Sequence, residues 1–265
     1  MRKNVVITGA SAGIGAAFAR LYAEKGHDLV LTARREDRLR EQADRLSQEY
    51  GVEVMVVPLD LALPTAPTRL LSRIEEAGKQ VDVLINNAGY GLPGTFLNTS
   101  WDDQKDFLQV MLHAPTELCH RVLPGMAERK YGRIINVASL AGLTPGSKGH
   151  TLYGAVKSAL IKLSESLNAE TEGTGIHVTA LCPGLTYSEF HDVNGQRDRL
   201  SNLPQYMWQQ ADEVVEAAHY AVEVNRAVLV TGSVNKMLAA TAQVMPGPIA
   251  RQIMKAQSKR FRQAD

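Results

Sequence analysis

Asn4-Val-Val-Ile-Thr-Gly-Ala-Ser-Ala-Gly-Ile-Gly15 is the stretch on which the fold turns. Its first half is a β-branched run that reads as a short buried strand over 4–8. Its second half carries Gly9, Gly13 and Gly15 and opens a helix near Gly13, with Ala17, Leu21 and Tyr22 on the apolar face. Side chains in such a turn would keep the backbone away from a pyrophosphate. The helix N-terminus then offers the anion free N–H groups and the positive end of its dipole. The spacing is G-x-x-x-G-x-G rather than the commoner G-x-G-x-x-G, so the strand before and the helix after carry as much of the argument as the glycines.

Outward from this turn the chain repeats strand then helix without a linker. Strands are expected near 4–8, 28–33, 53–58, 82–86, 133–138, 176–182 and 227–231. Helices are expected near 13–25, 36–49, 65–78, 103–130, 151–172 and 212–224. The alternation predicts an α/β fold: a single domain over 1–265 with a seven-stranded parallel sheet, helices on both faces and the ligand crevice at the strands' C-terminal edge. The second strand is followed by Arg34-Arg35, where nucleotide folds meet the adenosine ribose. An acid there bonds a free 2′-hydroxyl and an arginine pairs with a 2′-phosphate, so Arg34 argues for NADP(H) over NAD(H). The plainer alternative is a solvated pair that opens the charged helix over 36–49.

Tyr153-Gly-Ala-Val-Lys157 places a phenol and an ammonium four residues apart, on one face of a helix. A free phenol, with a pKa near ~10, is a poor acid–base group at neutral pH. At ~4 Å and an effective dielectric of ~20, an ammonium favours the phenolate by roughly 4 kcal/mol, about three pKa units. Ser139 upstream adds a hydroxyl able to hold a carbonyl oxygen while the tyrosine moves its proton. Tyr-x-x-x-Lys alone is weak, since core-plus-surface helices contain it often.

Taken together the motifs resemble the short-chain dehydrogenase/reductase family over residues 3–232. They occur in order: Thr8 to Gly15, Asp60-Leu61, Asn86-Asn-Ala-Gly89, Ser139, Tyr153-x-x-x-Lys157 and Pro183-Gly184. The resemblance implies a Rossmann fold that binds NADP(H) through Gly9, Ser11, Ala12, Gly13, Ile14, Gly15, Arg34, Asp60, Leu61, Asn87, Ala88, Gly89, Tyr153, Lys157, Pro183, Gly184 and Ser188. It makes Asp60 the partner of the adenine amino group, with Asn87-Ala88-Gly89 on the adenosine side and Pro183 to Phe190 around the nicotinamide. It implies Tyr153 as proton donor, Ser139 as carbonyl clamp, and Lys157 as the group that tunes the tyrosine and holds the nicotinamide ribose. The implied activity is hydride transfer between the cofactor and a ketone or aldehyde, giving an alcohol, or the reverse. The rival reading is a nucleotide-binding regulator or scaffold with negligible turnover.

That rival exists because of Met111. The family's fourth catalytic residue is an asparagine upstream of a Leu-Pro; counting back from Leu123-Pro124 gives Met111, and no asparagine lies between Asn98 and Asn136. The usual role implied is to position a water that joins the lysine to solvent, for which a thioether is a poor substitute. Gln109 and His113 lie about 200° away around a regular helix. Three readings stay open: a relay through another group or water, a slow or substrate-assisted enzyme, or an altered residue where the parent had asparagine.

Net charge is +1 over 265 residues, which gives no electrostatic case for nucleic acid. Met1-Arg-Lys-Asn passes straight into the first strand and no apolar run approaches ~20 residues, so neither a leader nor a transmembrane span is expected, and the cytoplasm is the expected compartment. Cys119 and Cys182 lack metal-ligand spacing and read as buried free thiols; no metal is expected. His150, three residues before Tyr153, reads as a surface-loop histidine, with the substrate mouth as the alternative. Residues 186–211, with Tyr187, Phe190, Tyr206, Met207 and Trp208, read as a substrate lid suited to an apolar or aromatic carbonyl, or packed on itself. The extension over 233–265 alternates apolar with basic residues and is split by Pro246-Gly-Pro248 into two helices. It could cover the pocket, pack in a dimer or touch a membrane surface. A homodimer or tetramer through the helices over 103–130 and 151–172 is expected of the family.

Overall fold

The computed structural model describes residues 2–146, 149, 151–187 and 204–245. Within them β1 (Asn4–Thr8), β2 (Asp28–Thr32), β3 (Val54–Val56), β4 (Val83–Asn86), β5 (Gly132–Val137), β6 (Ile176–Cys182) and β9 (Val228–Val230) form one sheet in the order β3-β2-β1-β4-β5-β6-β9. Every pair in it is parallel. The central strands are apolar at consecutive positions, as a sheet covered on both faces requires. Val5 and Ile7 face α1 (Gly13–Glu24) and α7 (Ala211–Glu223) with Phe18, Val214 and Ala218. Val6, Leu84 and Ile134 face α3 (Ala66–Glu76) and α5 (Ala114–Glu128) with Leu70 and Leu118. The remaining helices are α2 (Glu36–Tyr50), α4 (Trp101–Leu108), α6 (Thr151–Glu170) and α8 (Ser233–Val244).

β2 lies on one side of β1 and β4 on the other, so the strand order reverses there. The crevice opens above the C-terminal ends of β1 and β4. The Rossmann-like single sheet with helices on both faces is therefore as expected.

Two local features differ from the sequence reading. The helix expected over 103–130 is α4, a π-helical segment Gln109–His113, then α5. Pro115 supplies the cause: it has no N–H to give the Met111 carbonyl four residues back. The chain widens instead, and Ala114 N donates to Gln109 O. Thr116 Oγ1 donates to Leu112 O at 2.7 Å, so a side chain replaces part of the backbone ladder.

The second feature is a two-stranded parallel sheet of β7 (Leu185–Thr186) and β8 (Trp208–Gln209), which pairs the two ends of the segment read as a lid. Residues 188–203 of that segment, Ser188 and Phe190 among them, lie outside the described residues, as do His150 and the tail from 246. Among the described residues no helix is long and apolar enough to cross a membrane.

Candidate active site

The β1 turn is built from glycines because it must approach a second turn closely. Gly9 and Gly13 adopt φ of 66° and 54°, the left-handed region. A Cβ on Gly9 would stand 2.7 Å from Ala88 Cα, and one on Gly15 would run into the Gly9 carbonyl and the Asn87 amide. Asn87 Nδ2 donates to Thr8 O at 2.9 Å and Gly9 O at 3.1 Å. Thr8 Oγ1 accepts from Asn87 N and Ala88 N, both at 3.0 Å. The Asn87 side chain is thus spent on tying β4 to β1. Sequence reasoning missed Thr8 as the other half of this clamp; its signal was a hydroxyl at the last position of an otherwise aliphatic strand.

Helix α1 starts at Ala12, which offers no side-chain cap, so the first-turn N–H groups face the cradle unclaimed by the chain's own side chains. An uncapped helix end over a turn too tight for side chains fits a dinucleotide pyrophosphate. Arg34 is exposed just past β2, and Arg35 Nη2 donates to Ser11 Oγ at 3.0 Å. Asp60 Oδ1 accepts from Ala62 N at 3.0 Å, which sets the loop after β3, while Leu61 is buried beneath it. Tyr90 follows Gly89 and packs edge-on to Phe107. Burial pushes its phenol up to about 12, Asp106 adding to the rise and Arg34 opposing it.

Ser139, Tyr153 and Lys157 come together at the same edge, one strand further on. Ser139 follows β5 and caps a 3-10 turn, Leu140–Gly142, accepting from Ala141 N at 3.1 Å. Leu140 N donates to Pro183 O at 3.0 Å, which ties this turn to Pro183-Gly184. Tyr153, on α6, has the Ser139 hydroxyl near enough to its phenol to favour the ionised form. Lys157, one turn along, is 5% exposed; its Nζ donates to Val137 O at 2.7 Å and lies 5.7 Å from the Tyr153 ring centroid.

The electrostatics differ from the sequence expectation. Burial raises the Tyr153 phenol above its ordinary value, with the Ser139 hydroxyl opposing. Burial brings Lys157 down to about 8, with the neighbouring Cys182 opposing. The ammonium points at Val137 rather than at the phenol. Desolvation of both groups therefore outweighs the attraction inferred from their spacing.

Met111 is 1% exposed on the π-helical segment, packed with Leu61, Phe107 and Val156. A Cβ on Gly89 would stand 2.8 Å from its Sδ. The regular-helix angles that set Gln109 and His113 aside do not hold in a widened turn, but His113 is exposed and Gln109 only half-buried. Cys119 and Cys182 are free and buried.

The family model of the short chain dehydrogenases matches residues 3–198. The chain belongs to the short-chain dehydrogenase family. It is 34% identical over 237 residues to sulfoacetaldehyde reductase 2 of Chromohalobacter salexigens, covering 85% of this chain and 93% of that relative. A short-chain dehydrogenase from Sphingobium yanoikuyae, solved in complex with NADPH, superposes with a TM-score of 0.80 at 32% identity, over 99% of this chain and 98% of that one. The bulky-bulky ketone specific alcohol dehydrogenase from Comamonas testosteroni gives 0.77 at 31% identity, over 99% and 96%. This short-chain dehydrogenase is accordingly an NAD(P)-dependent oxidoreductase.

Proposed function

We propose that the protein is an NADP(H)-dependent carbonyl reductase or alcohol dehydrogenase that uses Tyr153 as its proton donor and acceptor. The observation that carries this is the convergence of Ser139, Tyr153 and the buried Lys157 at one sheet edge, next to a glycine turn shaped for the cofactor. Bound nicotinamide supplies or accepts the hydride at its C4, so the protein needs no base for the carbon. The essential side chains instead surround the substrate oxygen. Ser139 Oγ holds that oxygen, Tyr153 protonates it, and the Lys157 ammonium stabilises the phenolate left behind. Lys157 also holds the nicotinamide ribose, and Pro183-Gly184 borders the ring.

Arg34 and the Arg35–Ser11 pair support a preference for a 2′-phosphate. Replacing Arg34 with Glu is expected to weaken NADPH binding at least tenfold, roughly one lost charge-assisted hydrogen bond, and to spare NADH, as read by fluorescence titration. The stacked Tyr187 and Trp208 rings, 4.8 Å apart at the lid base, favour an apolar or aromatic carbonyl, in keeping with the bulky ketones named for the Comamonas enzyme.

The test is NADPH consumption on aromatic, aliphatic, steroid-like and 3-oxoacyl carbonyls by the parent, Tyr153→Phe and Met111→Asn. The parent is expected to turn over at least one class, and Tyr153→Phe to lose roughly 10²–10⁴ in kcat. A parent silent on every class, with activity only in Met111→Asn, overturns this reading in favour of a nucleotide-binding role; the burial of Met111 among apolar groups is what keeps that outcome in view.

A further inference from the structure

Helix α8 is apolar on a side that nothing among the described residues covers. It runs Ser233-Val-Asn-Lys-Met-Leu-Ala-Ala-Thr-Ala-Gln-Val244, with Lys236 its one charged residue. Its buried residues are Asn235 and Ala239, one turn apart on the face toward the protein. On the opposite face Met237 is 64% exposed and Val244 82%, with Leu238 at 37% beside them. Thr241, between them in the row, donates its hydroxyl to Met237 O at 2.7 Å, so that group is satisfied within the helix. At 12 residues the helix has the length at which isolated helices are marginal, and burial of an apolar face is what ordinarily holds one.

The chain itself carries a cover of the right shape. Twenty residues follow Met245, starting where the exposed face ends. Met245 is extended, with ψ of 131°, as befits the residue before a proline. Met245-Pro-Gly-Pro248 has the length of a turn between antiparallel helices, and Pro248 suits the first position of a new one. At helical spacing Ile249, Ile253 and Ala256 then share one side, with Arg251 and Lys255 on the other. Run antiparallel from that turn, Ile249 falls opposite Val244, Ile253 opposite Thr241 and Ala256 opposite Met237. Arg260, which interrupts the apolar side, comes level with Ser233, where α8 begins. The apolar stretch of the tail matches the exposed face in length as well as in spacing.

We propose that residues 249–259 fold back along α8 as the second helix of an αα-hairpin, apolar side inward and basic side outward. A second copy of the chain and an anionic lipid surface are the other occupants such a face could take. Tethering decides for the tail: a segment joined by a four-residue turn meets the face at an effective concentration of order ~mM, above that of a free partner. The helix so covered carries Asn235, whose side chain stands against Gly184, so the hairpin braces the Pro183-Gly184 loop. The hairpin holds or fails independently of the reaction.

Two measurements on the full chain test it. Oxidation of the double variant Met237→Cys, Ala256→Cys at low protein concentration is expected to give an intramolecular disulfide, read as a monomer of altered mobility on a non-reducing gel; Cys119 and Cys182 are buried. With Lys255→Cys in place of Ala256→Cys, on the outward side, the bond is expected to form at least about tenfold more slowly. Equal rates for the two pairs overturn the hairpin, and a disulfide-linked dimer overturns it in favour of a second copy. Hydrogen exchange is the second readout. Amides of 237–244 are expected to exchange at least about tenfold faster in Ile253→Glu than in the parent, with those of the central strands unchanged. Unaltered exchange overturns the proposal, as does protection that appears only with phosphatidylglycerol vesicles, which assigns the face to lipid.

Discussion

Lys157 shows how far a residue's chemistry departs from its sequence spacing. Tyr153 and Lys157 were legible because their order with Ser139 and the glycine turn is specific, but their charge states were not. Spacing reports neighbours and says little about desolvation, and both groups are buried. With its value brought down to about 8, Lys157 keeps its proton at neutral pH and loses it as pH rises through that region. In the proposed mechanism the ammonium is the form that stabilises the phenolate, so carbonyl reduction is expected to hold a plateau below about pH 8 and fall above it. Steady-state kcat from pH 6 to 10 checks this, with Lys157→Met expected to be slow and flat across the range. Asn86 was legible only as a motif letter; its network with Asn136 and Ser164 joins β4, β5 and α6, which no single-sequence pattern connects.

At the scale of elements, strands and most helices followed from hydrophobic period and glycine punctuation, while the widened turn at Gln109–His113 did not. Its cause, Pro115, was in plain view, yet a proline near a helix interior predicts a disturbance without predicting its form. The packing of α1 on α7 carries a pH dependence of its own. Tyr22 lies between His27 and His219, its ring 5.5 Å and 5.3 Å from theirs. Burial holds both histidines below their ordinary value; Lys3 adds for His27 and Lys25 for both, and Glu223 opposes. The folded state therefore takes up protons less readily than the unfolded chain. This contribution to stability is whole above the unfolded histidine value of about 6.5 and declines as pH falls below it. Urea midpoints between pH 7.5 and 5 are expected to drop accordingly, and less steeply in His219→Phe.

On the whole molecule, a latch at the base of the proposed substrate lid unites distant parts of the chain. Asn235 Nδ2, at the start of α8, donates to Thr231 O at 2.9 Å and Gln209 Oε1 at 3.2 Å, and Thr231 Oγ1 donates to the same Gln209 oxygen at 2.8 Å. The Asn235 side chain also packs against Gly184, where a Cβ would collide with it. The C-terminal helix, the return strand β8 and the Pro183-Gly184 loop thus share one polar knot. Asn235→Ala is expected to raise KM for the carbonyl severalfold while leaving the NADPH dissociation constant within about twofold, since the phosphate cradle lies on the other half of the sheet; steady-state and titration data separate the two. The parallel sheet and its crevice were readable from the alternation of elements. The latch was not, because hydrogen bonds between residues far apart in sequence leave no local pattern.

The Thr8–Asn87 clamp has a consequence for how the molecule comes into being. Its partners are separated by 79 positions, with β2 and β3 threaded between them, so the bonds close only after the central strands have found one another. A chain in which these strands have not yet paired lacks the closed turn proposed to hold the cofactor. The cofactor then selects for the completed product, and by mass action drains the partly assembled population toward it. If the glycine turn holds the nucleotide as proposed, added cofactor is expected to stabilise the folded chain before any turnover takes place, as a rise in Tm would show.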